Sequence, residues 1–561
     1  MLKKIFFLMF IAFFNLHAHS QSVITTPPTN SALRSMAEWE EVQALVITWR
    51  SYPEVLREIV RYAQEQCQVI IHCTPSSADS NAVKNNLLSN GIAIGTNVKF
   101  IQTPTNSVWI RDYGANSVYE NDVDSLILVD WIYNRSSRPQ DDTVCRAYAR
   151  KLNLPVYETR VAPYRIVHTG GNYMSDGFGN GFSSKLIEDE NLSLSNNQIN
   201  SIMNQFMGVD NYILMETLPY DGIHHIDMHM KLLDEETLLM TQYPDGVADG
   251  PQIEANLLYV INNFNSVFGT PYQVIRQTSP PQSNGAYPDN NGDYLTYSNS
   301  VFVNKLLLVP TYREPFDSIA LNIYKKNLPG YQVQGINCNN IIQASGAIHC
   351  ITHSVGVNDP LLISHQKLRD TYNTTTPYPV KARVQHRSGI QNYTVKYRIN
   401  QQGNWLIAPP SVNPPIELNY FEAAIPPQPG ETIVEYYIEA LATSGKQQVR
   451  PITAPEGFYT FKVFDTTTVN ISKVALNLFD IKAFPNPSKG ITCIPLTVSE
   501  PIVVNIDLID VTGRLILQIY QGMTATGEQR YFFDSTSLAS GTYFIRAQTK
   551  AGSVFQKLIV K

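Results

Sequence analysis

The feature that most constrains this chain is a change of hydrophobic rhythm near residue 370. Before it, short apolar runs alternate with helix-like stretches: Ala44 to Thr48, then Pro53 to Glu65, then Gln68 to His72, then Ser80 to Leu88. Strand, helix, strand in succession predicts parallel pairing through helical crossovers, and so an α/β domain over 31–370. That span exceeds an ordinary domain of about 100–200 residues. It therefore predicts an internally repeated or closed architecture, although no clean sequence repeat is visible.

After Asp370 the helical stretches stop. Thr374-Thr375-Thr376-Pro377-Tyr378-Pro379 reads as a linker. Runs of period two follow, as in Tyr393 to Ile399 and Val434 to Ala440, separated by proline-rich turns at Pro409-Pro410 and Pro426 to Gly430. Such runs predict a β-sandwich of immunoglobulin type over 371–465. Cysteine is absent between 351 and 492, so the inter-sheet disulfide of antibody domains is not expected. A further break at Thr466-Thr467-Thr468 precedes a last β segment, 478–561.

The first 20 residues have a different character. Lys3-Lys4, an apolar run from Ile5 to Leu16 and small residues at Ala18 and Ser20 predict a secretory signal peptide cleaved after Ser20. The run is too short for a spanning helix of about 20 residues, and no transmembrane segment is expected elsewhere. With 42 Lys plus Arg against 48 Asp plus Glu, the net charge of −6 argues against a nucleic-acid binder. Six scattered cysteines do not form a disulfide framework, and for most a small buried hydrophobe is the expected role.

Three segments of the α/β region set polar groups among apolar ones. They are Val108 to Gly114, His224 to His229, and Gly346 to His353. Read as a strand, the second would place His225, Asp227 and His229 on one face and Ile226, Met228 and Met230 on the other. Three possibilities remain for that face: a solvated edge, a metal site, or an acid–base pair beside a carboxylate. The third segment holds Cys350 in a glycine-led turn with histidine on both sides, and no other cysteine has a comparable polar setting in the sequence. A thiol reacts as thiolate and needs a base or a positive neighbour. Asp112 and Asp227 together would suit a planar cation with forked donors, and guanidinium is that cation.

Trp109-Ile110-Arg111-Asp112, Thr169 to Gly177, His225-Ile226-Asp227, Asn299-Ser300 and His349 to His353 occur in this order. Together they resemble the guanidine-modifying deiminases, specifically the Porphyromonas-type peptidylarginine deiminase and agmatine deiminase family. The resemblance implies a five-bladed pseudo-symmetric α/β-propeller with a central site and no metal or other cofactor. It also implies Cys350 as nucleophile, His225 as general acid and base, Asp112 and Asp227 as guanidinium ligands, Asn299 as a polar residue beside the nucleophile, and Trp109 as a wall along the substrate stem. Arg135 matches the first of two arginines that, in the secreted family member, bind the substrate's C-terminal carboxylate. The second is displaced here to Arg138.

Phe484-Pro485-Asn486-Pro487, Asp510 to Arg514, Gly541 to Phe544 and Lys557 to Lys561 resemble the C-terminal sorting domain of type IX secretion, a further β-sandwich. The expectation is thus a secreted, surface-sorted deiminase of peptide or protein arginine, with the type IX machinery as a partner. An exported agmatine deiminase, a metallohydrolase built on His225, Asp227 and His229, and a non-catalytic adhesin are the competing readings.

Overall fold

Parallel strands need a crossover, and helices supply it here in a recurring pattern. The structure, a computed structural model, describes residues 23–28, 32–75, 79–410, 418–465, 479–498, 502–511, 513–524, 527–549 and 552–561. In the α/β region one unit recurs: an antiparallel strand pair, then helix, then a third strand parallel to the second. Asn116–Glu120 and Leu126–Asp130 are followed by helix Cys145–Leu152 and strand Val156–Glu158. Met174–Ser175 and Asn180–Ser184 lead through two helices to Asn211–Met215. Met230–Asp234 and Thr237–Gln242 lead through Gly250–Asn263 to Gln273–Thr278. Val301–Val303 and Leu306–Thr311 lead through Phe316–Asn327 to Gln332–Asn337. The last unit joins distant ends of the region: His353–Gly356 pairs with Val42–Trp49, which continues through helix Pro53–Ala63 to Gln68–Cys73.

Local sequence explains these elements. Val42–Trp49 is buried along nearly its whole length, as befits a strand covered on both faces. Helix Pro53–Ala63 starts with proline, whose missing N–H costs nothing there. It buries Val55, Leu56, Ile59, Val60 and Ala63 along one stripe.

The segment 224–229 departs from the strand expectation. Ile226–Met228 is a single 3-10 turn, closed by Met228 N–H donating to His225 O at 3.3 Å and His229 N–H to Ile226 O at 3.1 Å. The strand begins only at Met230. His225, Asp227 and His229 therefore do not share a strand face.

Two antiparallel sheets follow around a core that includes Val380, Val384, Val395, Tyr436, Ile438 and Phe461. Leu361 and Ile363 already belong to this core, ahead of residue 370. Charged contacts join this part to the α/β region: Lys446 Nζ lies 2.7 Å from Glu41, Arg383 2.6 Å from Asp122, and Arg450 and Lys367 pair with Glu235 and Asp234. The final segment forms two more sheets over Ile494, Leu496, Ile506, Leu508, Ile545 and Leu558. The predicted signal peptide and the break at Thr466-Thr467-Thr468 lie outside the described residues. No helix among the described residues is long and apolar enough to cross a membrane.

Candidate active site

Each of the five units is entered through a tight turn, and these turns carry the polar residues. Asp112, Asn172, Asp227, Asn299 and Cys350 each lie two to four residues ahead of their unit's first strand. The fold gathers four of these turns around one thiol. Arg111 N–H donates to Cys350 O at 3.1 Å, joining the first turn to the last. Ser298 Oγ donates to Asp227 O at 3.0 Å. Asn299 Oδ1 accepts from the backbone N–H of Ala347 and His349 at 3.1 and 3.0 Å, and its amide donates to Cys350 Sγ at 3.2 Å. Asn299 thus braces the cysteine turn from both sides of its own amide.

Cys350 is 2% exposed, and Asp227 Oδ2 lies 3.6 Å from its sulfur. Asp112 Oδ1 stands 3.7 Å from His225 Nδ1. The glycine of Thr169 to Gly177 that borders this pair is indispensable to it. A Cβ on Gly171 would come within 2.4 Å of His225 Nδ1 and 3.0 Å of Asp112 Oδ1. Gly346 plays the same part across the site, where a Cβ would meet the Trp109 ring at 2.6 Å and Cys350 Sγ at 3.1 Å. Trp109 therefore lies beside the thiol, half-buried.

Four buried atoms in this cluster make no hydrogen bond: Asp112 Oδ1, Asp227 Oδ1, and both ring nitrogens of His225. An unsatisfied buried polar group costs about 1–3 kcal/mol, so such a cluster marks a place where a polar ligand completes the bonding. Two lone carboxylate oxygens call for donors, and a guanidinium carries five.

The electrostatics point the same way. Burial pushes the Cys350 thiol well above its ordinary range, and the Asp227 and Asp112 carboxylates add to the rise. Burial also raises Asp112, reinforced by Asp227, while His225 opposes. Asp227 behaves oppositely: burial would raise it, but the His349 hydrogen bond and charge outweigh burial and hold it below the usual carboxylate range. A cation seated between the carboxylates would reverse the pressure on the thiol.

The two arginines are separated. Arg135 is exposed, and its charge acts on Asp112. Arg138 is tied down: its backbone N–H donates to Arg135 O at 2.8 Å and its guanidinium to the Tyr133 hydroxyl at 3.0 Å. His229 is buried with both ring nitrogens unpartnered. Among the described residues, the one group of three Cys, His, Asp or Glu ligand atoms lying within 4.8 Å of one another is Asp130, Cys145 and Glu158, not His225, Asp227 and His229. Arg160 holds both of those carboxylates, at 3.0 and 2.8 Å, and Arg146 holds Glu158 at 2.6 Å. Cys145 thus also has polar surroundings, contrary to the expectation that Cys350 alone would, and the charged groups acting on it are Asp130, Glu158 and Arg160.

Residues 34–355, more than half of the chain, match the family of Porphyromonas-type peptidyl-arginine deiminases. The chain belongs to this family. Its members act as deiminases of guanidino groups, the chemistry for which the unpartnered carboxylates are suited. A Legionella pneumophila relative named "Putative agmatine deiminase" is 23% identical over 347 residues, 59% of this chain and 97% of the relative. The fold is shared with an agmatine deiminase of Enterococcus faecalis, at TM-score 0.50 and 17% identity over 60% of this chain and all of the other. It is also shared with a Porphyromonas gingivalis protein titled "Putative Arginine Deiminase", at TM-score 0.50 and 21% identity over 57% and 98%. Residues 482–561 match the secretion system C-terminal sorting domain, which directs a chain through type IX secretion.

Sequence reasoning missed three family-site neighbours. Glu38 lies far from every motif, Lys231 stands two residues beyond the His224 to His229 segment, and His349 has no role in the sequence reading beyond flanking Cys350. The signal for Lys231 is a charge set between Met230 and Leu232 in the strand Met230–Asp234, where all five positions are buried.

Proposed function

We propose that this chain is an exported cysteine hydrolase that converts peptidyl arginine, above all C-terminal arginine, to citrulline and ammonia without a metal. Cys350 serves as nucleophile, His225 as general acid and base, Asp112 and Asp227 as the guanidinium cradle, Asn299 as the brace of the nucleophile turn, and Trp109 as the wall along the substrate stem. The observation that carries this reading is the set of four unpartnered buried atoms around the Cys350 thiol.

The guanidinium enters between Asp112 and Asp227, and its charge favours loss of the thiol proton, which passes to His225. The sulfur attacks the guanidinium carbon, and the carboxylates stabilise the tetrahedral adduct. His225 returns its proton to the departing nitrogen, ammonia leaves, and an S-alkylthiouronium remains. His225 then takes a proton from water as the water oxygen attacks the same carbon. The C–S bond breaks, the adduct's remaining hydroxyl proton passes to solvent as the citrulline carbonyl forms, and the proton on His225 restores the thiol.

In this reading 31–370 is the catalytic domain, a five-bladed α/β-propeller, and the five recurring strand–helix units support that architecture. An immunoglobulin-like domain follows over 371–465 and the sorting domain over 478–561. A signal peptide ending at Ser20 would begin export, and attachment at the outer-membrane surface would end it. Arg135, exposed at the rim, would take the substrate's terminal carboxylate, with Arg138 in a lesser role.

One observation favours an exported agmatine deiminase instead. Glu190 accepts from Asn134, the neighbour of Arg135, at 2.5 Å, while its Oε2 is buried without a partner. A carboxylate there suits the ammonium of agmatine. Ammonia release from C-terminal-arginine peptides, internal-arginine peptides and agmatine, with peptidyl citrulline as the product of the peptides and N-carbamoylputrescine that of agmatine, separates the readings. Wild type preferring agmatine over every peptide would overturn the peptide reading, and turnover of none of them would overturn the deiminase reading.

A further inference from the structure

The buried side of Asp227 faces a chain of charges. His349 Nδ1 lies 2.7 Å from Asp227 Oδ2, and His349 Nε2 lies 2.5 Å from Glu38 Oε1. Glu38 Oε2 in turn accepts from Lys231 Nζ at 2.6 Å, and Arg111 NH1 stands 3.8 Å from Glu38 Oε1. Lys231 also donates to Ser300 O at 2.8 Å. The His349, Asp227 and Lys231 side chains are each 1% exposed.

Both ring nitrogens of His349 therefore face carboxylate oxygens, which when ionised only accept. A neutral imidazole has one N–H and one lone pair, and the lone pair would point at an anion. Cations other than His349 favour both anions: against its burial, Glu38 faces Lys231 and Arg111, and Arg111 acts on Asp227. We infer that His349 is a buried imidazolium acting as a positioning residue, which keeps Asp227 ionised beside Cys350, with Glu38 and Lys231 holding that imidazolium in place. The consequence is a division of labour within one carboxylate. Oδ2 is spent on His349 at the sulfur side, leaving Oδ1, the unpartnered oxygen, for the guanidinium. The other charged or titratable groups around Asp227 are His225, Arg111, Lys231, His229, Asp112 and Cys350.

This inference rests on the deiminase reading for its kinetic meaning, but the charge state of His349 can be read without substrate. In 15N-histidine-labelled full-length protein at about pH 8, where an exposed histidine has lost its proton, the resonances lost in His349→Gln should show both ring nitrogens protonated. One protonated and one unprotonated nitrogen would overturn the inference. The kinetic arm compares kcat/KM against pH for wild type and His349→Gln on whichever guanidine the wild type turns over. Without the imidazolium, burial raises the Asp227 pKa, so more alkaline conditions are needed to ionise it. The acid limb should move up by about 1 to 3 pH units, with activity regained as pH rises. A loss equal at every pH, with the limb unmoved, would overturn the inference. Should His349→Gln fail to fold, Glu38→Gln serves in both arms: the His349 resonances should change with it, and the limb should move the same way by less. A wild type inactive on every guanidine would sink the function while the nitrogens still decide the charge state.

Discussion

The centre of this site and its rim are built differently. At the centre, Cys350, Asp227 and Asn299 sit on turns from separate strand–helix units, cross-linked by hydrogen bonds and backed by Glu38, His349 and Lys231. At the rim, Arg135 projects from a single exposed loop, with Arg138 tied to Tyr133 behind it. Under the proposed function, the difference separates chemistry from selectivity. A reacting centre needs groups held from several directions, whereas a rim residue chooses among substrates that share the same guanidinium and can change without disturbing it.

The hardest test of the centre is removal of the sulfur. Cys350→Ala should abolish turnover while the circular dichroism spectrum and melting temperature stay near wild type. A haloacetamidine should label Cys350 and leave Cys145 unmodified despite its polar neighbours. Wild-type activity in the variant would end the covalent mechanism.

Next come the carboxylates. Asp112→Asn and Asp227→Asn each remove one charge from a buried cation site, worth about 3 to 5 kcal/mol, or roughly two to four decades in kcat/KM. Either variant within twofold of wild type would place that carboxylate outside the site. Gly171→Ala tests geometry without touching charge. Its methyl must displace His225 and Asp112, and a shift of about 1 Å can cost roughly 100-fold. Steady-state kinetics with an unchanged melting temperature would show that the loss is positional.

The rim should give the smallest and most selective effect. Arg135→Ala is expected to weaken C-terminal-arginine peptides by about 10- to 100-fold, as for loss of a charge-assisted pair worth about 1.5 to 3 kcal/mol. Amidated peptides and agmatine should barely change. Arg138→Ala should do less, because its guanidinium is already engaged with Tyr133. Equal losses on all three substrates would make Arg135 a support of its loop and erase the contrast between centre and rim.

The segment 224–229 shows where local reading fails. His225, Asp227 and His229 alternate with Ile226, Met228 and Met230, which satisfies a period of two. Both sets are buried, however, so alternation does not report a solvent face. Six residues are also too few to separate a strand from a tight turn followed by a strand. Here the apolar residues face neighbouring elements, while Asp227 and His225 turn to different partners within one pocket.

Sequence alone determined what depends on neighbours along the chain. Strand Val42–Trp49 and helix Pro53–Ala63 follow from short-range period and end signals, and the ordered motifs around Asp112, His225, Asn299 and Cys350 mark the family. Tertiary structure decided what depends on residues hundreds of positions apart. Glu38 and His349 are separated by 311 positions and meet because His353–Gly356 pairs with Val42–Trp49. A buried charge acquires its meaning from its partner, since burial alone would raise Asp227 and the partner reverses the sign. No local pattern names that partner, because Asp227 and His349 stand 122 positions apart and meet only in the folded chain.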